Sequence, residues 1–501
     1  MSIIRGFASI LGSKIGTLLL GLVITPVIVR FLGSSLYGDY AFLLSILGIV
    51  MILVNAGIFD GIRKYIVENR SNSTWVEQVF GFYMRVAVLL ALIAAAVFAM
   101  FAWFGLAERF LKAEFEVYFY LLGLLIVVRQ GNSVARGGLM GLGLEDRSEP
   151  LGVLRKILFG VSAVSLLYLG HNVGGVLVGH ILATSLSTGV AYFFLFKRIE
   201  IRLVFTHVPD DFPKRELLSF NSLSIVLILL TASLYHVDIL LLRLITGDQA
   251  TGYYRAALVI AEFLWLVPNA LQMVLLHSSS KLWSEGHHDR ISELASRTTR
   301  YNLSFVLLLS IGLSALAGDF LPLYFGSEFE ASVLPLLLLL PGVIGFSLAR
   351  PIFAIGQGKG DLRILIVATG IAAVVNFVLN ILLIPAYGPL GAAGATSVGY
   401  GLMAVLHIRG AHRIGFNPIQ DLRLVQIGIV ATTTAVITFG IAEVINSPIV
   451  SLIVVPPLGF ITYSILSLRF GVITSGEVEP LRKRLPDRAS RYVELILRIL
   501  T

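Results

Sequence analysis

Apolar runs of about 17–25 residues recur from one end of this chain to the other, and nothing else in the sequence constrains its fold as strongly. Fourteen of them are legible, from Phe7–Arg30 and Leu43–Ile62 through to Leu424–Val444 and Val450–Leu468. Only 14% of the 501 residues are charged against 56% hydrophobic. A soluble domain carries about 25% charged residues, so these runs face lipid and not a water-covered core. Backbone polar groups in hydrocarbon must be satisfied within their own segment, and runs of this length exceed a barrel strand, so each run is expected to be a helix. The expectation is an all-α integral membrane protein of about 14 transmembrane helices.

The connections are short. Arg198–Glu216, His277–Asn302 and the tail after Arg469 are the longest expected loops. None has room for an inserted soluble domain, which counts against a membrane-bound glycosyltransferase or polysaccharide polymerase. The chain has no cysteine, which removes thiolate chemistry, disulfides and Cys-ligated metal from consideration. No Walker-type glycine loop, metal-ligand spacing or Ser/His/Asp arrangement is present, so no catalytic residue, metal or cofactor is expected.

The formal charge of +8 is a topology signal. With the N-terminus in the cytoplasm, roughly 29 Lys and Arg fall in cytoplasmic segments and about four outside, the positive-inside pattern. Both termini are expected to be cytoplasmic, in a multi-pass protein of the cell (inner or plasma) membrane. Nucleic acid is not an expected partner. The tail over Val478–Leu500 is basic and reads as an amphipathic helix on an anionic leaflet, so membrane lipids are expected partners.

A short motif occurs twice. Arg30-Phe-Leu-Gly33 through Gly38-Asp39-Tyr40 joins spans one and two, and Arg243 through Gly247, Gly252 and Tyr254 joins spans seven and eight. Each opens a block of six spans, which suggests a parallel repeat with boundaries at 1–198, 199–415 and 416–501.

Charges inside spans are costly and mark function or a nearby surface. Lys14 heads a stripe of Thr17, Gly21 and Thr25 at helical spacing and reads as cavity-lining, against snorkelling or helix packing. Arg129 reads as snorkelling like Arg85 and Arg350, with the alternative that Ser133 and Arg136, which follow it at helical spacing, line the inner mouth of a cavity with it. Arg255 and Glu262 share a face two turns apart, about 10 Å along the axis and too far to pair directly. For Glu262 a salt bridge to another helix and proton coupling stand level. Asp60 and Asp238, near span ends, read as capping or solvated groups. His180 and His236 read as packing histidines before proton relays. All five remain candidates for ion coupling.

The chain resembles the polysaccharide, or O-antigen, flippase branch of the multidrug/oligosaccharidyl-lipid/polysaccharide exporter superfamily. The motifs above carry the resemblance, with Gly57, Arg63, Asp238, Pro268, Leu323-Tyr-Phe325-Gly326, Asn376, Asn380, Pro385 and Gly391-Ala392-Ala393. It implies two six-helix bundles in a V-shaped arrangement plus two C-terminal helices. It implies alternating-access transport of a polyprenyl- or dolichyl-linked oligosaccharide, with a polymerase or glycosyltransferase machinery as a further partner. Carried over by helix and charge, Lys14, Arg63 and Arg255 are the expected pyrophosphate-binding residues; the chemistry of such a cargo adds Arg129, with Tyr253, Tyr254 and Trp265 as the expected sugar contacts. The rival of the same fold is a cation-coupled drug antiporter. Such proteins use a carboxylate in the first helix, where this chain has Lys14.

Overall fold

A computed structural model describes residues 2–68 and 73–482. The part of the expected amphipathic tail beyond 482 lies outside the described residues. Among the described residues, twelve helices are long and apolar enough to cross a membrane, and the bent pair Asp248–Phe263 and Leu266–Ser284, broken by 49°, makes a thirteenth. The first of the twelve covers two expected spans. It is divided at Gly33, whose φ of 66° and ψ of 177° no L side chain adopts comfortably, into α1 (residues 2–32) and α2 (residues 34–55). Counted apart, these complete the expected fourteen.

The helices that follow are α3 (Ile58–Val67), α4 (Trp75–Trp103), α5 (Phe115–Gly141), α6 (Pro150–Tyr168), α7 (Asn172–Leu195) and α8 (Ser222–Ile245). Then come α9 (Asp248–Phe263), α10 (Leu266–Ser284), α11 (His288–Phe325), α12 (Val333–Lys359), α13 (Leu362–Tyr387) and α14 (Pro389–Ile414). The last are α15 (Leu424–Val444), α16 (Pro448–Arg469) and α17 (Ser475–Arg482). Helix packing divides the chain into two compact units, Met1–Gly252 and Tyr253–Thr501.

In the first unit, Ile62, Phe80, Val134 and Leu195 from α3, α4, α5 and α7 share one apolar core. The expected loop 198–216 is not a free connection: Val204, Val208 and Phe212 are buried in that core. A Cβ at Gly81 would strike the Val204 carbonyl, so the glycine lets the connection lie directly on α4.

In the second unit, α12 is the most enclosed helix, with Leu336, Val343, Phe346 and Ile352 all at most 1% exposed. It meets α14 at small residues: a Cβ at Gly345 would lie 2.9 Å from the Gly401 Cα. Backbones come this close only where side chains are absent, the usual means of association between helices in lipid. A second core forms around Leu303, Ile427, Val430 and Tyr463, where α15 and α16 pack on α11. The loop expected over His277–Asn302 is a correction, because all but a short turn of it is helix at the end of α10 and the start of α11. Hydropathy falls there, but Ile291, Ala295, Thr299 and Arg300 keep a buried face at helical spacing. Arg350 is also corrected. It does not snorkel: it is buried, lies 4.0 Å over the Phe346 ring and donates to Gln272 Oε1 at 3.1 Å. Arg85 does sit at the surface, donating to the Thr206 carbonyl at 3.0 Å.

Candidate functional site

Six helices of the first unit line a polar cavity of about 460 Å³, with Met51 of α2 and Phe59 of α3 among its apolar members. From α5 come Arg129, Asn132, Ser133 and Arg136, which lie on one stripe because residues three and four apart share a helix face. From α6 come Arg155 and Lys156, from α7 His180 and Thr184, and from α1 Thr17. Gly21, one turn beyond Thr17, keeps α1 slim beside the α6 lysine, with a Cβ there 3.9 Å from Lys156 Nζ.

The charges on this wall are unequal in their company. Arg136 is held by Glu149, Nη2 to Oε1 at 3.0 Å. Arg129, Arg155 and Lys156 pair with no acidic side chain among the described residues; Lys156 Nζ lies 5.5 Å over the Phe159 ring. His180 stacks on Phe159 with ring centroids 3.9 Å apart, and its Nε2 shares a 2.8 Å hydrogen bond with the Tyr40 hydroxyl. A pocket with cations, hydroxyls and an amide on its wall, in a segment that faces lipid outside, is chemically matched to a hydrated anion.

Elsewhere in the unit lies a seam made by the two copies of the repeated motif. A Cβ at Gly38 would fall on the carbonyl oxygen of Asp248, and a Cβ at Gly252 would fall on that of Ser34. Each glycine thus receives the carbonyl four residues ahead of the other glycine, a two-fold exchange. Charges seal it. Arg243 Nε donates to Asp39 Oδ1 at 2.6 Å, and Lys112 Nζ donates to Asp39 Oδ2 at 3.1 Å and also to Asp248. Burial disfavours the Lys112 ammonium, but the hydrogen bonds it donates to Asp248 and Asp39 outweigh it and raise its pKa. Along α5 the cavity arginine Arg129 is 14 residues from the seam-side start at Phe115, about 21 Å at helical rise.

The other expected site residues are spread out. Lys14 is exposed on α1, ahead of the cavity wall, and Arg63 is exposed on α3. Asp60 lines a separate cavity of about 260 Å³ with Asn55, Ser133, Asn221 and Ser224. Asp238 is buried, its Oδ1 accepting from the Ile239 N–H at 2.8 Å. The His236 ring packs against α2 where Gly48 leaves room, since a Cβ there would lie 2.6 Å from Nε2.

In the second unit, Arg255 and Glu262 do pair, at 2.9 and 3.3 Å, which corrects the expectation that they stand too far apart. Two long side chains leaning toward each other along the helix cover the two turns. Tyr253 is half-buried, edge-on to Phe329 at 6.1 Å. Tyr254 is fully buried with its hydroxyl 3.1 Å from Thr396 Oγ1, and Trp265 is buried against Phe346 and Tyr400. The sugar contacts expected of Tyr254 and Trp265 are therefore corrected, since both rings are core. Arg155 and Lys156 are cavity residues that hydropathy and charge bias place only among the cytoplasmic Lys and Arg. Their signal was their position one turn inside a span.

Residues 3–283 match the family model described as polysaccharide biosynthesis protein, and the chain belongs to that family. Over 477 residues, 91% of this chain and 94% of the relative, it is 22% identical to the probable low-salt glycan biosynthesis flippase Agl15 of Haloferax volcanii. Its fold is similar to that of the lipid II flippase MurJ in an inward closed conformation, with a TM-score of 0.74 at 14% identity over 91% of this chain and 97% of that one. It is also similar to an inward-facing multidrug resistance MATE family transporter of the MOP superfamily, with a TM-score of 0.69 at 16% identity over 79% of this chain and 94% of that one. The protein is a multi-pass membrane protein of this fold.

Proposed function

We propose that the chain is a flippase that moves a polyprenyl- or dolichyl-(pyro)phosphate-linked oligosaccharide from the cytoplasmic to the outer leaflet by alternating access. The observation that carries this reading is the cavity wall of Arg129, Arg155 and Lys156, three cations with no acidic partner among the described residues. A phosphate headgroup supplies the missing negative charge, and Asn132, Ser133 and Thr184 supply hydrogen bonds for sugar hydroxyls. With the N-terminus cytoplasmic, the start of α6 and the late part of α5 lie on the cytoplasmic side, where a lipid-linked glycan is made. The isoprenoid needs no aqueous path. A cation-coupled drug antiporter is disfavoured by the same wall, which repels cationic cargo. In this reading Lys14, Arg63 and Arg255 belong to other stages of the path, and the bundles are residues 1–198 and 199–415 followed by 416–501.

The test is the triple variant R129Q/R155Q/K156Q in a strain that lacks its own copy. Charge-assisted hydrogen bonds are worth about 1.5–3 kcal/mol each, so losing three is expected to cut export by on the order of 10²-fold or more. Surface glycan falls to background and lipid-linked glycan accumulates in the inner leaflet. Wild-type surface glycan at normal protein level would overturn the reading, as would a deletion strain that becomes drug-sensitive while its glycan is unchanged.

A further inference from the structure

The cavity holds more positive charge than a diphosphate can neutralise. Four cationic side chains reach its wall, and Glu149 matches one of them, Arg136. Asp60 belongs to the adjoining cavity that shares Met51 and Ser133, and the Arg63 charge acts on it. His180 and Tyr40 bring no negative charge. Arg129, Arg155 and Lys156 remain, three charges on one wall.

A diphosphate esterified at both ends, to a lipid on one side and a sugar on the other, has one ionised oxygen on each phosphorus and carries two negative charges. A monophosphate diester carries one. Cations gathered in a lipid-facing bundle persist where opposite charge arrives to match them. The headgroup therefore leaves at least one cation without a counter-charge. A cavity of about 460 Å³ has room for the phosphates and about one or two sugar rings, so the counter-charge must sit close to the reducing end.

We propose that the glycan is acidic: its first or second sugar carries a carboxylate, as in a uronic acid, or an equivalent anionic ester, seated in this cavity beside the phosphates. The proposal rests on the reading of the cavity as the headgroup site and narrows its substrate to a trianionic end.

Two soluble probes separate the charges. UDP-glucose and UDP-glucuronate present the same sugar diphosphate, and the second replaces a hydroxymethyl group with a carboxylate. Binding to the full-length protein in lipid nanodiscs is measured at equal ionic strength. Wild type is expected to bind UDP-glucuronate roughly tenfold more tightly or better. Of R129Q, R155Q and K156Q, each weakens both probes, and the one that removes the carboxylate's partner brings the ratio toward one. The charge-conserving replacement at that position (R129K, R155K or K156R) restores it. Equal affinity of wild type for the two probes overturns this proposal and leaves the flippase reading standing. A ratio that persists in all three variants also overturns it, because the preference then arises elsewhere. Failure of wild type to bind either probe overturns the headgroup reading and this proposal together.

Discussion

Gly252→Val is expected to abolish export while the protein still inserts in the membrane at normal level, and Gly38→Val to do the same. At each glycine the position of a Cβ is already occupied by a backbone carbonyl, that of Ser34 or of Asp248. A side-chain tip can rotate away from an intruding methyl, but a carbonyl inside a helix cannot, so the two helix starts must move apart. Parting them also stretches the Asp39–Arg243 bond, which is 2.6 Å long and almost wholly buried, with side chains 3% and 9% exposed. Breaking a buried pair leaves a charge uncompensated and costs several kcal/mol; here that charge is Arg243, since Asp39 also has Lys112 at 3.1 Å. If the closed seam is one stage of the proposed alternating-access cycle, wedging it apart stops export. Alanine is expected to give a partial loss at both positions, and Gly189→Ala, with no neighbour within 4 Å, to behave as wild type. Because the chain has no cysteine, one introduced thiol reports the seam directly. Ser34→Cys, at a site 3% exposed, should resist a membrane-impermeant maleimide in the wild-type background and react in the Gly252→Val background. Full export by Gly252→Val with the thiol still protected would refute the role assigned to the seam.

That seam shows how far the sequence carries. The repeated Arg, Gly, Gly-x-Tyr pattern is plain in the letters, and so is its place at the same hydropathy step in each block. What the letters do not contain is that the two copies touch, since a contact between residues 38 and 252 is a tertiary event with no local signature. The cavity repeats the lesson. Hydropathy gives depth along a helix but not which neighbour a face meets. Arg155 and Lys156, one turn inside a span, therefore look like ordinary end-of-helix charges. The α1 stripe has physical content, because Thr17 reaches the cavity wall, while Lys14, nearly a turn earlier, is exposed and is not among the residues lining this cavity. Arg129 stood out because Ser133 and Arg136 follow it at helical spacing, and all three share the wall. Side-chain reach was underrated at Arg255 and Glu262, where an axial rise of two turns looked prohibitive. Aromatic rings near charges suggested sugar stacking at Tyr254 and Trp265, yet a large ring in a close-packed helical bundle is at least as useful as core. The helical ends of α10 and α11 escaped because loss of hydropathy marks the membrane surface and not the end of a helix.

Arg300→Ala is expected to lower stability by about 3–5 kcal/mol, the cost of breaking a buried ion pair by removing one partner. Arg300 is fully buried near the start of α11 and bonds both Asp421, in the α14–α15 connection, and Glu477, in α17. Around it Arg423 donates to Asp421 Oδ1 at 2.7 Å and to the Gly471 carbonyl at 2.6 Å. Glu477 Oε2 accepts from the Thr474 N–H at 2.9 Å, the reach-back of a capping box that starts α17. One guanidinium therefore ties the two last membrane helices to α11, and its loss breaks both ties, leaving Asp421 to Arg423 alone and Glu477 to Arg297 at 3.6 Å. A thermal unfolding scan in detergent should show the drop, and a midpoint within a degree of wild type would sink the claim. The same cluster predicts an acid limb. Burial opposes ionisation of Glu477, but the Thr474 backbone bond and the Arg300 charge outweigh it and lower its pKa from 4.5. A carboxyl whose folded value is depressed contributes stability that is complete above its unfolded value and is lost as pH falls through the folded one. The unfolding midpoint should accordingly decline below about pH 4.5, and Glu477→Gln should start lower at neutral pH and decline less. Equal acid slopes in the two proteins would assign the decline to other carboxylates.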